Sequence, residues 1–75
     1  MKSQFDCKLF GRRLNQARRS LGLTQVQAAE LAGVSQGNIS DFEAGTSEPK
    51  ASTIIKFAEA YHVSGEWLLG ISDEK

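Results

Sequence analysis

The stretch that decides the fold is GVSQGNISDFEAG, Gly33 to Gly45. Ser35 is a strong N-cap residue, and Gly45 is the residue type that most often stops a helix. Between them lies one short helix. Ile39 and Phe42, at i and i+3, fall on one side of it and are expected to face a core. Gln36, Gly37, Ser40 and Asp41 fall together on the other side, with Asn38 also outward. That outward face carries no Arg or Lys. It also carries a glycine, which weakens a helix by roughly 1 kcal/mol relative to alanine. A helix this short, polar and uncharged on its exposed side raises the question of what it touches.

Upstream, Thr24-Gln-Val-Gln27 is a T-x-x-Q capping box that opens a helix over about residues 24–32. Ala28, Ala29 and Ala32 keep that helix thin, so that a neighbour can pack close; Leu31 is expected to fill the space left at Ala28. Before it, in KLFGRRLNQARRSLG, Phe10, Leu14, Ala17 and Leu21 form one apolar stripe at helical period. Arg12, Arg13 and Arg19 lie away from that stripe, and Gly22 ends the helix. Downstream, Pro49 sits in the loop before a fourth helix, Ala51 to Tyr61 or His62, whose apolar face is Ile54, Phe57, Ala58 and Tyr61. Ser64 caps a last short helix, and Val63 can staple onto Leu68. Trp67, Leu68 and Ile71 are expected to close the core, and the polar tail 71–75 is expected to fray. Strand propensity is nowhere sustained. The fold class is all-α: a compact bundle of five short helices.

The 75 residues suit one small domain, read as residues 1–75 with a core over about 9–70. A hydrophobic content of 40% with 24% charged residues indicates a globular chain rather than a disordered one. No apolar run approaches the roughly 18–20 residues that span a membrane, so no membrane partner is expected. MKSQFDCKLFGRR lacks the apolar core and cleavage site of a signal peptide. The single Cys7 suits a reducing, cytoplasmic setting, and Cys7 with His62 does not make a zinc site, so no metal or cofactor is expected. Net charge is zero, but unevenly spread. Residues 1–19 carry Lys2, Lys8, Arg12, Arg13, Arg18 and Arg19 against Asp6, while residues 20–75 carry three bases against eight acids. That asymmetry is either a positive footprint for a polyanion or the solvated outer face of the first helix. No nucleophile–base pair, carboxylate dyad or phosphate-binding glycine loop is present, so the chain does not read as an enzyme, and no small-molecule site is evident.

Two short helices joined by the tight turn Ala32-Gly33-Val34-Ser35 make a helix-turn-helix over about residues 24–44, the layout in which the second helix enters the major groove of DNA. With the stretch TQVQAAELAGVSQGNISDFEAG, then Pro49, then IIKFAEAYHVSGEWLL, the chain resembles the lambda-repressor-like, Cro/C1-type (XRE) helix-turn-helix family. The resemblance covers about residues 9–70. Its most specific pieces are Thr24-Gln25, Gly33-Val34-Ser35, Ile39-Ser40, Glu43-x-Gly45 and Pro49.

That resemblance implies a homodimeric, sequence-specific regulator of transcription, a repressor, bound to a double-stranded operator and associated with the nucleoid. Gln36, Gly37, Ser40 and Asp41 match its base-reading positions, and Gln reads adenine through N6 and N7. Thr24, Gln25, Asn38, Ala44, Thr46, Ser47 and Lys50 match phosphate-contacting positions, with Gln25 helped by the positive end of a helix dipole. Arg18 and Glu43 match an ion pair tying the first helix to the end of the third; the alternative is a surface pair worth under about 1 kcal/mol. Trp67, Leu68, Leu69 and Ile71 are candidates for a dimer face, although Trp67 reads equally as core. The chain departs from the family at Ala28, where a larger aliphatic is usual, and in Thr46-Ser47-Glu48, where bases are usual. Low basicity leaves a second class open: a helix-turn-helix scaffold for protein–protein binding, of antitoxin or antirepressor type. The chain reads either as a whole small regulator or as the DNA-binding domain of a longer one.

Overall fold

In the computed structural model, residues 5–75 are described; Lys2, counted above among the basic residues, lies outside them. Five helices follow in order: α1 (Cys7–Ser20), α2 (Gln25–Ala32), α3 (Gln36–Ala44), α4 (Ala51–Tyr61) and α5 (Gly65–Leu69). Helix α1 begins where Asp6 Oδ1 accepts from the amides of Lys8 and Leu9 at 3.1 and 3.0 Å. Thr24 and Gln27 form the reciprocal capping box at α2, and Ser35 and Ser64 cap α3 and α5 through their hydroxyls. Each cap satisfies amides that helix geometry leaves unpaired, which is why such short helices start where they do. His62, exposed and in the left-handed region at φ 57°, ends α4.

Helix α1 is the spine of the bundle. It packs on α3, α4 and α5, while α2 lies across α3 and α4. Phe10, Leu14, Ile39, Phe57 and Leu68 are fully buried. Phe42 links the elements: its ring meets Phe10 edge-on at 6.0 Å and Phe57 at 5.9 Å. Edge-to-face pairs of this kind add about 0.5–1.5 kcal/mol beyond their burial. Ile39 and Phe42 thus anchor α3 by its inner face, which fixes the direction of its outer one.

Several sequence expectations are corrected here. Leu21 does not complete the apolar stripe of α1; it is the C-terminal cap residue and is half exposed, because the helix stops at Ser20. Leu31 does not fill space at Ala28. It is 56% exposed, whereas Ala28 is itself fully buried, since the face of α2 turned inward is Ala28, Ala29 and Ala32. Ile71 does not close the core either: Gly70, at φ 85°, turns the chain outward and leaves Ile71 73% exposed. The tail is docked rather than frayed. Arg13 Nη1 donates to the carbonyls of Trp67 and Ser72 at 2.6 and 2.8 Å, and the Ser64 amide donates to the Lys75 carbonyl at 3.0 Å. Arg13 therefore belongs to the packing and not to a solvated outer face. Its guanidinium also lies 5.1 Å from the centre of the Trp67 ring, in cation–π range. Among the described residues no helix is long and apolar enough to cross a membrane.

Candidate nucleic-acid interface

The turn between α2 and α3 is tight because Gly33 adopts φ 74°, which lets the amides of Gly33 and Val34 both donate to the Ala29 carbonyl at 2.9 and 3.1 Å. Ser35 Oγ then accepts from the Asn38 amide at 3.1 Å and starts α3. Since Ile39 and Phe42 are held in the core, Gln36, Gly37, Asn38, Ser40 and Asp41 are all presented to solvent. Beyond α3, Gly45 turns left-handed at φ 77°, and Thr46 folds back so that its amide and hydroxyl both donate to the Asp41 carbonyl, at 3.1 and 3.2 Å. Ala44, Thr46 and Lys50 are exposed and Ser47 is partly so, along one rim next to α3. Thr24 is exposed at the start of α2, but its hydroxyl is already engaged in the cap.

Behind this face is a polar cluster that ties it to the core. Arg18 Nε donates to Glu43 Oε2 at 2.7 Å, and Arg18 Nη2 to Glu43 Oε1 at 3.0 Å. The two side chains are only 12% and 7% exposed. The bidentate geometry matches the planar guanidinium to the carboxylate and gives the strong form of such a pair. The third nitrogen of Arg18, Nη1, donates to the Leu23 carbonyl at 2.7 Å, so the same side chain also fixes the turn into α2. Burial pushes the Glu43 carboxyl up, but donation from Arg18, Asn15 and Gln25 and the Arg18 charge outweigh it and hold Glu43 below its usual range. The hydrogen bond to Glu43 in turn raises Arg18, against the opposing effect of burial. Tyr61 lies close enough to feel both charges. Burial, with the Glu43 charge adding and that of Arg18 opposing, pushes its phenol up to about 12.

Two further donors reach Glu43 Oε1: Asn15 Nδ2 at 2.9 Å and Gln25 Nε2 at 3.1 Å. Gln25 Oε1 in turn accepts from Gln36 Nε2 at 3.0 Å. A continuous run of hydrogen bonds therefore joins α1 to the exposed start of α3. Sequence reasoning placed Gln25, Gln36, Arg18 and Glu43 at functional positions but did not foresee that they are connected. It missed Asn15 altogether, although its place three residues before Arg18 puts it on the same side of α1. Of the four residues considered for a dimer face, Trp67 and Leu68 are 3% and 0% exposed and belong to the core of the single chain. Only Leu69 and Ile71 reach the surface there.

With this geometry in place, comparison with known proteins is decisive for kinship. The helix-turn-helix family HTH_3, of Cro/C1 type, matches residues 14–68. The chain belongs to this family. HTH-type transcriptional regulator ImmR of Bacillus subtilis (strain 168) is 38% identical over 60 residues, which is 80% of this chain and 47% of ImmR. Indeed this helix-turn-helix chain spans about half the length of the curated relatives it matches. Among solved structures, the P22 c2 repressor with a synthetic operator superposes with a TM-score of 0.79 at 26% identity, over 93% of this chain and 100% of that one. SinR of Bacillus subtilis, the master regulator for biofilm formation, was solved with DNA and superposes with a TM-score of 0.77 at 30% identity, over 80% and 97% of the two chains. The five-helix, strandless bundle is thus the fold of HTH_3 repressor DNA-binding domains.

Proposed function

We propose that the chain is a sequence-specific double-stranded DNA-binding regulator of transcription, a repressor, that lays α3 in the major groove and binds two half-sites as a homodimer. The observation that carries this reading is the outer face of α3. Its five polar or small residues are all exposed, while its inner face is locked into the core and its first glutamine is held by Gln25. Gln36, Gly37, Ser40 and Asp41 read base edges, with Asp41 suited to accept from cytosine N4. Thr24, Gln25, Asn38, Ala44, Thr46, Ser47 and Lys50 follow the phosphates. At α2 the cap serves the Gln27 amide, and helix geometry leaves the amides of Gln25 and Val26 facing outward, where a phosphate oxygen completes them. Leu69 and Ile71 contribute to contact between the two copies. The protein acts in the cytoplasm, on the chromosome, by binding rather than by catalysis. The P22 c2 repressor and SinR, both solved with DNA, support this use of the fold.

Selection from a random duplex pool at moderate salt tests the reading. An enriched inverted repeat with half-site centres roughly 10 base pairs apart is expected. Affinity should fall steeply with salt. Gln36→Ala should relax preference at one base pair, and Lys50→Ala should weaken all duplexes alike. A folded sample that enriches nothing would point instead to the protein-binding scaffold.

A further inference from the structure

The reading above assigns Gln36 to a base but does not say why it should prefer one purine over the other. Resting on that reading, we propose that Glu43, acting through Gln25, is a specificity-positioning residue: it fixes which end of the Gln36 amide is free, so that Gln36 accepts adenine and refuses guanine.

A glutamine side chain has a donor end and an acceptor end, and turning it over exchanges them. An ionised carboxylate can only accept. Glu43 is held in that state by the guanidinium of Arg18 and the amide of Asn15, both on α1. Gln25 must therefore present Nε2 to Glu43, as it does at 3.1 Å. Its Oε1 is then the end turned to α3, and Gln36 must present Nε2 to it, as it does at 3.0 Å. One Nε2 hydrogen of Gln36 is thereby taken. What remains for DNA is one N–H and Oε1. Adenine offers an acceptor at N7 and a donor at N6, which this pair of groups matches; guanine offers acceptors at both N7 and O6. An unanchored glutamine could turn both Nε2 hydrogens to guanine. The anchored one cannot, and its Oε1 would face O6 with no proton between them. The device discriminates by what it forbids as well as by what it binds.

Two substitutions at position 25 separate this from a simple phosphate contact. Gln25→Lys keeps a donor to Glu43 and adds positive charge toward the phosphates, but offers Gln36 no acceptor. Gln25→Met offers neither. Binding is measured by titration against the selected operator and against the same duplex with G·C replacing A·T at the base pair whose preference Gln36→Ala abolishes. In both variants the adenine-over-guanine preference should fall at least about fivefold, the low end for a bidentate base contact. Preferences at other base pairs should hold. Overall affinity should survive in Gln25→Lys and drop in Gln25→Met. A folded variant that keeps the wild-type preference overturns the proposal. A Gln36→Ala protein with unaltered base preferences overturns the assignment of Gln36 to a base, and this proposal with it. Without DNA, NMR provides the remaining check: the Gln36 side-chain amide signal should move in Gln25→Met, and a signal that stays in place overturns the relay.

Discussion

Gly11 and Gly37 both sit inside helices, where glycine is weaker than alanine by about 0.5–1 kcal/mol. Their surroundings are opposite. A Cβ on Gly11 would lie inside contact distance of the Phe42 carbonyl oxygen and 2.8 Å from that of Glu43, both backbone atoms that cannot swing aside. A Cβ on Gly37 would meet nothing within 4 Å. Gly11 is thus explained by the molecule itself: it lets α1 lie directly against the last turn of α3. Nothing in the free protein accounts for Gly37, which stands on the outward face of α3. The first glycine serves the fold, and the second marks where something else must come close. The polar cluster belongs with Gly11, because the approach it permits brings Arg18 and Asn15 within reach of Glu43.

The largest effect expected on this seam comes from Arg18→Met. It leaves Glu43 nearly buried without its cation, and such half-broken pairs lose about 3–5 kcal/mol. Since small domains have only about 5–15 kcal/mol in total, urea denaturation followed by circular dichroism should show a sharply lowered midpoint. The effect should depend on pH in a defined direction. The folded-state pKa of Glu43 lies below its ordinary 4.5, so the stability that it contributes is present above that value and is lost as pH falls through the depressed one. The gap between wild type and Arg18→Met should therefore narrow on acidification below about pH 4.5. A gap that stays constant into acid would mean that Arg18 acts through packing and its bond to Leu23, not through Glu43.

Gly11→Ala should come next, at about 1–3 kcal/mol of destabilisation, the usual range for overpacking a tight contact. The sign is the sharp part of this prediction. Alanine favours the helix, so helix propensity alone predicts a gain. A gain in the urea midpoint would show that α1 and α3 can move apart at no cost, and the contrast between the two glycines would collapse.

What the sequence could show follows the same division. Ser35, Gly45, the Thr24–Gln27 box and the inward pair Ile39 and Phe42 were legible because caps and periodicity are local signals, carried within a turn or two. Leu21 and Leu31 were misplaced because periodicity gives the phase of a helix but not where its last turn stops or which neighbour lies above it. Arg13 was hidden for a different reason. Its partners are backbone carbonyls of Trp67 and Ser72, 54 and 59 residues away, and a carbonyl leaves no mark in the residue code. Asn15 was hidden because its bond to Glu43 exists only at the α1–α3 distance that Gly11 allows. Charge pattern and family likeness gave the two ends of the polar relay, Arg18 and Gln36. Its continuity is a product of three helices meeting.

The smallest effect, and the one of opposite sign, is expected at Gly37. With ordinary helical backbone and open space around it, Gly37→Ala should stabilise the protein by about 0.5–1 kcal/mol, read as a raised urea midpoint. The same protein should bind the selected operator less tightly, because the added methyl stands where α3 approaches the groove floor. The two readouts moving in opposite directions is the outcome that ties this glycine to DNA. A gain in stability with unchanged affinity would leave α3 in the groove but turn Gly37 away from it, rotating the base-reading face toward Ser40 and Asp41. Loss of stability would mean that the free protein does use this glycine after all, and would remove the ground for reading it as a mark of close approach.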